Sequence, residues 1–277
     1  MKKFRKFFIS FILLIALCIS EVSVQAATYC QTLTGKYTGG VPGSYKTSNE
    51  YTSNNQRANF RMVYGSAMGD GALYRSRNPY TTGTAAKIAD SRLKKCGIRY
   101  VINLAASDEE LAAKAESETY AAYNYTEMYK SGKVYSCNLV WRFDTDKLKK
   151  ANREAMIKAL KFIAAHRGPY LVHCELGKDR TGEFCIIAAA MCGATYNELL
   201  RDYRQSFRNY CSDASDAEIT AFCKKNLDYI LQLITYEPSG SNWSKMDLAF
   251  KVRRYLLQGG MTAAEICLAK RHLKCNY

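Results

Sequence analysis

The sequence predicts an α/β fold, a three-layer sandwich with a central, mostly parallel sheet flanked by helices and a helical C-terminal part. Three observations carry that expectation. Between residues 71 and 194, short apolar runs alternate with helix-like runs, the order that a parallel sheet with crossover helices requires. One of these apolar runs feeds a glycine-containing loop, residues 174–180, that opens directly into a helical run. From residue 195 onward only helical patterns occur.

Taken in order, Gly71–Ser76 reads as a short strand, and Thr84–Lys95 as a helix stopped by Cys96-Gly97, with glycine in its usual place after a helix end. Arg99–Leu104 is a β-branched, apolar strand, and Asp108–Thr119 is a helix with an acidic start. Val134–Trp141 returns to strand. Lys147–His166 carries Leu148, Met156, Leu160, Ile163 and Ala164 at helical spacing, with Thr145 as a cap and Asp146 in its first turn. Residues 169–173 form a strand and 181–194 a helix, followed by helical runs near 195–208, 215–235, 244–258 and 262–273. There is no internal repeat and no second domain.

The N-terminus has a different character. Lys2, Lys3, Arg5 and Lys6 precede an apolar run from Phe7 to Ile19, and Val24-Gln25-Ala26 ends in small residues. This is the order of a secretory signal peptide covering 1–26, too short in its apolar part to span a bilayer. Leu17 stands where a lipid-modification site at Cys18 wants a small residue, so a lipoprotein is not expected. Residues 27–58 are rich in Tyr, Thr, Ser, Asn and Gly without periodicity and read as an irregular extension packed by its tyrosines. The expected mature chain is secreted, with no transmembrane segment.

The chain carries 40 basic and 25 acidic residues. Removing the leader's four bases and one acid leaves 36 against 24, a net charge of +12, which favours anionic substrates or association with acidic surfaces. No helix-turn-helix, zinc-finger or RNA-binding signature accompanies it, so no nucleic acid partner is expected. Ten cysteines follow the leader. Cys211 with Cys223, Cys267 with Cys275, and Cys30 with a distant partner are possible bridges, whereas Cys185 and Cys192 on the apolar helix read as packing residues. No CxxC pair or His/Cys cluster has metal-ligand spacing, so neither a metal nor another cofactor is expected.

The chemistry concentrates in His173-Cys174-Glu175-Leu176-Gly177-Lys178-Asp179-Arg180-Thr181-Gly182. A strand feeding a loop that opens a helix aims several N–H groups and the positive end of the helix dipole at one point. Cys174 sits at that point, where a thiolate is favoured over a thiol, and the arrangement suits phosphate-ester cleavage through a phosphocysteine.

The motif His173-Cys174-x5-Arg180-Thr181-Gly182 resembles the signature loop of the cysteine-dependent protein-tyrosine phosphatase superfamily. Its form Gly177-Lys178-Asp179-Arg180-Thr181-Gly182 is similar to that of a bacterial branch described as tyrosine-protein phosphatases, some of which act on phosphoinositides. Asn59-Phe60-Arg61, Leu73-Tyr74-Arg75-Ser76, and Tyr255-Leu256-Leu257 with Gly260-Met261-Thr262 and Glu265-Ile266 resemble other segments of that branch. The resemblance spans Asn59 to Leu273 and implies a phosphatase domain over 59–277.

It also implies roles. Cys174 is the expected nucleophile, and Arg180 the fork that grips two phosphate oxygens. The N–H groups of Glu175, Leu176, Gly177, Lys178, Asp179 and Arg180 line the remaining oxygens. Thr181 donates to the departing sulfur, and His173 holds the loop without touching substrate. Lys178 is either solvated or extends the positive pocket. Asp179 is either a structural partner within the loop or a participant in proton transfer. A general acid is needed on a neighbouring loop; the superfamily places an aspartate about thirty residues before the cysteine, which points to Asp144, with Asp146 as the neighbouring alternative. The sequence lacks the Trp-Pro-Asp form of many tyrosine phosphatases, and it has Asn103-Leu104-Ala105 where relatives carry Asp-Leu-Arg. Phosphotyrosine on protein is the expected substrate, with phosphoinositides close behind. The alternatives are an inositol-polyphosphate (phytate) phosphatase and a catalytically inactive module that binds phosphate groups.

Overall fold

A computed structural model of the chain describes residues 35–139 and 145–277. Among the described residues, five strands form one sheet in the order β1-β2-β5-β3-β4. They are β1 (Arg61–Met62), β2 (Leu73–Ser76), β3 (Tyr100–Asn103), β4 (Val134–Ser136) and β5 (Tyr170–His173). The strands β2 to β5 pair in parallel, and β1 runs antiparallel to β2 at one edge.

Central strand β5 is buried at every residue, which is why Tyr-Leu-Val-His shows no inside-outside alternation in polarity. Its side chains nevertheless alternate in direction. Leu171 joins Val101, Leu93, Leu111 and Tyr125 in one core, while Tyr170 and Val172 join Ile102, Leu160 and Phe184 in the other. Two cores on opposite faces of one sheet make the three layers. The first face is covered by α2 (Thr84–Lys95), α3 (Asp108–Ala115) and α4 (Asn124–Lys130), after a short α1 (Asn54–Arg57). The second holds α5 (Asp146–Ala165) and α6 (Arg180–Cys192), enclosed by α7 (Tyr196–Tyr210), α8 (Asp216–Thr235), α9 (Leu248–Gln258) and α10 (Ala263–Leu273).

Helix α6 is buried from Thr181 to Cys192, so it needs no polar face. It stops at Gly193, whose φ of +109° suits only glycine. Thr145 caps α5 by accepting from the Leu148 N–H at 3.3 Å. Among the described residues no helix is long and apolar enough to cross a membrane.

Several expectations are corrected. The strand expected to reach Trp141 ends at Ser136, opposite Asn103, where its only partner strand also ends; residues 140–144 lie outside the described residues. The helix expected to reach Thr119 stops at Ala115 and gives way to a 3-10 turn at Glu118–Tyr120. Helix α4 was not anticipated. Cys211, Cys223, Cys267 and Cys275 are all free thiols, so neither of the two bridges expected among them forms. Cys30 and the leader lie outside the described residues. Cys185 and Cys192 are buried in the core, as packing residues should be.

Candidate active site

The parallel register sets Ser76, His173 and Asn103 side by side at the carboxyl edge of the sheet, the edge where such sheets present their sites. The chain leaves β5 at His173, runs through Cys174–Asp179 and enters α6 at Arg180. Cys174 is only 3% exposed at the head of the core.

One backbone N–H and three buried side chains hold the loop by its carbonyl oxygens. The Asn78 N–H donates to Glu175 O at 3.0 Å, and Tyr210 Oη donates to Leu176 O at 2.6 Å. Asn59 Nδ2 donates to Leu176 O at 3.1 Å and Gly177 O at 3.0 Å. Arg75 Nη2 donates to Gly177 O at 2.8 Å and Lys178 O at 3.4 Å. With the carbonyls taken from outside, the peptide planes present their N–H edges to the loop's interior. No backbone acceptor among the described residues takes the N–H groups of Glu175 to Arg180. Such a ring of preset donors, with a helix N-terminus behind it, has the geometry to receive an oxyanion.

The glycines fit this geometry. Gly177 has φ of +66°, and a Cβ there would stand 2.0 Å from Ser76 O, so the loop can pass β2 only without a side chain. A Cβ on Gly182 would meet the Tyr203 ring at 2.7 Å.

Asn59 and Arg75 come from the Asn-Phe-Arg and Leu-Tyr-Arg-Ser segments, whose mechanical purpose the sequence does not disclose. Both are fully buried. Asn59 Oδ1 accepts from Arg61 Nη1 at 2.7 Å and Asn209 Nδ2 at 2.8 Å. Arg75 Nη1 forms an ion pair with Asp202, whose carboxylate also lies 3.4 Å from Arg61 Nε.

Arg180 Nη1 donates to Leu104 O at 2.9 Å and Leu139 O at 3.3 Å. These contacts orient the guanidinium plane while Nε and Nη2 bond no described residue, so the fork retains donors for a ligand. Asn103 fixes the Leu104 acceptor, because its Oδ1 takes the N–H groups of Ala105 at 2.8 Å and Ala106 at 3.2 Å. The Asn103-Leu104-Ala105 departure thus forms its own turn.

His173 is fully buried, and burial pushes its imidazole down to about 3. Its Nε2 shares a 3.0 Å hydrogen bond with Tyr125 Oη, which ties β5 to α4. Thr181 Oγ1 is buried without a hydrogen-bond partner, so it does not bond Cys174 Sγ in this state.

Lys178 is not solvated: it is 0% exposed. Its Nζ donates to Gly40 O, lies 3.1 Å from Asp179 Oδ1, and sits 4.7 Å from the centre of the Phe207 ring. Asp179 also accepts from Tyr37 Oη, so Lys178 and Asp179 are both engaged by protein groups. Asp146 opens α5, exposed and paired with Lys149 at 3.0 Å. Asp144 lies outside the described residues.

Glu183 escaped sequence reasoning. It is buried in the first turn of α6, Oε2 has no hydrogen-bond partner, and burial raises its carboxyl to about 8. The folded state therefore keeps a proton that the unfolded chain releases near pH 4.5. This site lowers stability progressively as pH rises from 4.5 to 8. Glu183→Gln is expected to stabilise the protein little near pH 4.5 and by on the order of a few kcal/mol above pH 8. Urea unfolding across that range checks it; a pH-independent difference would assign the titration elsewhere.

No curated protein matches the chain in sequence. A similar solved structure is the core catalytic domain of the PP-IP phosphatase SIW14 from S. cerevisiae in complex with citrate, with 16% sequence identity, 67% of this chain and 87% of that chain covered, and a TM-score of 0.37. Residues 55–271 match the model of a tyrosine phosphatase family, an interval that takes in Asn59, Arg75, the Cys174 loop and the helices that anchor it. Over most of its length, then, this chain belongs to the tyrosine phosphatase family and is a phosphatase.

Proposed function

We propose that this protein hydrolyses phosphate monoesters through a phosphocysteine on Cys174, acting on protein phosphotyrosine and also on phosphoinositides, as a member of the bacterial branch with the Gly-Lys-Asp-Arg-Thr-Gly loop. The observation that carries this reading is the outward tethering of the loop carbonyls around a buried cysteine. The Cys174 thiolate attacks phosphorus in line and the bond to the leaving oxygen breaks; that oxygen takes a proton from Asp144. Water then attacks the phosphocysteine, Asp144 takes back a proton, and phosphate leaves as the sulfur departs. Through both steps Arg180 and the N–H groups of residues 175 to 180 hold the equatorial oxygens. The Thr181 hydroxyl, which has no partner at rest, keeps its proton for the departing sulfur.

Engagement of Lys178 by Gly40 and Asp179 favours a monophosphate over a polyanion such as phytate, since this ammonium is committed within the protein. The basic head, apolar run and small-residue end of residues 1–26 support action outside the producing cell, with the positive net charge drawing the protein to acidic surfaces.

A panel of phosphotyrosine peptide, phosphoserine peptide, phosphoinositide and phytate tests the proposal, with the first and third expected to be the best substrates. Release of several phosphates from phytate, in preference to phosphotyrosine, would overturn it. In the same panel Asp144→Asn should slow aryl phosphates with poor leaving groups far more than those with good ones. If Asp146→Asn or Asp179→Asn shows that pattern instead, the acid is that residue.

A further inference from the structure

The segment 37–46 precedes the residues matched by the family model, which begin at 55, yet it reaches the loop. It is fastened along α7, α8 and the turn between them. Thr38 exchanges two hydrogen bonds with buried Asn226, its N–H to Oδ1 at 3.0 Å and its carbonyl from Nδ2 at 2.9 Å. The Ser44 N–H donates to Asp213 Oδ1 at 2.7 Å, and the N–H groups of Ser212 and Lys46 close the seam to Ser44 O at 2.9 Å and Tyr210 O at 2.8 Å. Such anchoring fixes Tyr37 and Gly40 relative to the helices.

From that fixed segment two groups engage the loop. Tyr37 Oη donates to Asp179, and Gly40 O accepts from Lys178 Nζ. Tyr37 Oη also lies 2.7 Å from Tyr203 Oη. A phenol has one hydrogen; Tyr37 gives its own to Asp179, so Tyr203 is the donor to Tyr37. The Tyr203 ring in turn packs where a Gly182 side chain would stand. The network therefore grips both the end of the loop and the first turn of α6.

We propose that Tyr37, from outside the family's matched segment, is a positioning residue that works through Asp179 and Lys178 to hold the phosphate loop in its receptive shape. The argument rests on geometry and on the character of an ion pair whose ammonium is buried and whose carboxylate is 24% exposed. Burying an ammonium beside a carboxylate gives little net stability, because desolvation offsets their attraction. Placed at consecutive positions of the loop and held by a distant segment, the pair fixes conformation instead. This inference rests on the phosphatase reading for its kinetic consequences, but the loop's order can be read without turnover.

The test compares the full chain with Tyr37→Phe and Tyr203→Phe. A third variant, Asp213→Ala, removes the acceptor for the Ser44 N–H and loosens the seam without touching the loop. Tyr37→Phe should lower kcat on p-nitrophenyl phosphate and weaken inhibition by orthovanadate by about tenfold each, the effect of losing one hydrogen bond to a charged group. Tyr203→Phe and Asp213→Ala should each move both in the same direction by less. Amide hydrogen exchange at residues 175–180, measured without ligand, should rise in Tyr37→Phe. Unchanged exchange and unchanged kcat in folded Tyr37→Phe would overturn the proposal. A drop in thermal midpoint alone would reduce Tyr37 to a structural contact and overturn it too. If the parent protein hydrolyses no phosphate ester, the phosphatase reading fails; faster loop exchange in Tyr37→Phe would still support the positioning role.

Discussion

Replacing Cys174 with serine should abolish turnover while leaving the protein folded and able to bind phosphate groups. The expected loss in kcat is on the order of a thousandfold or more, as for other enzymes stripped of their nucleophile. The side chain is nearly isosteric, and the tethers from Asn59, Arg75 and Tyr210 reach backbone carbonyls that the substitution leaves in place. What changes is chemistry. Sulfur is the stronger nucleophile toward phosphorus and the better leaving group in the second step, whereas a serine hydroxyl without an adjacent base is a weak nucleophile. Orthovanadate should still bind, because the N–H groups of residues 175–180 and the Arg180 fork do not depend on sulfur. Rapid quenching of the parent enzyme with a labelled aryl phosphate should trap one phosphoryl group per chain, absent in Cys174→Ser. Serine turnover at the parent rate would rule out the phosphocysteine.

That loop was legible because its signal is local. Strand, loop and helix follow one another within 169–194, and each is identified by polarity pattern, glycine placement and the spacing of Cys174 and Arg180. The helices α2 and α5 were legible for the same reason, α2 by the glycine after its end and α5 by its Thr145 cap, each with an amphipathic face. Helix α4 was not, since Asn-Tyr-Thr-Glu-Met-Tyr-Lys is built largely of aromatic and polar residues with no apolar stripe, and it is fixed by Asp90 accepting the N–H groups of Asn124 at 3.0 Å and Tyr125 at 2.8 Å. Two-residue β1 is shorter than any pattern can reveal. The carbonyl tethers were hidden for a different reason. Asn59 lies more than a hundred positions from Gly177, as does Gly40 from Lys178, and nothing in an isolated asparagine or glycine announces its partner. The choice left open for Lys178, solvent or substrate, omitted the third possibility, an acceptor from the N-terminal segment. A tyrosine- and glycine-rich stretch without periodicity reads as an irregular extension, and its grip on the loop shows only once its backbone is placed.

The second large effect is expected at Arg75. Arg75→Met removes the ion-pair partner of buried Asp202 and one of the two side-chain donors to Gly177 O in one step. Leaving a carboxylate buried without its main counter-charge should cost about 3–5 kcal/mol of stability, read as a lower urea midpoint. Arg61, at 3.4 Å from the same carboxylate, supplies only part of the missing charge. The variant should also lose activity in its folded fraction, because the Gly177 carbonyl, left to Asn59 Nδ2 alone, gives the peptide plane more freedom to turn its N–H away from the phosphate. The two effects separate in Arg75→Met/Asp202→Leu. Removing the orphaned carboxylate should recover a large part of the stability, since an apolar pair of similar volume can replace a buried ion pair. It restores no donor to Gly177 O, so kcat should stay low, and the double-mutant cycle should show strong coupling in stability with little in turnover. Recovery of both together would mean that Arg75 serves only the fold; recovery of neither would mean that Asp202 has a role in the site of its own. The predicted split follows from one guanidinium having two edges: Nη1 answers a charge in the core, and Nη2 aims the loop that receives the substrate.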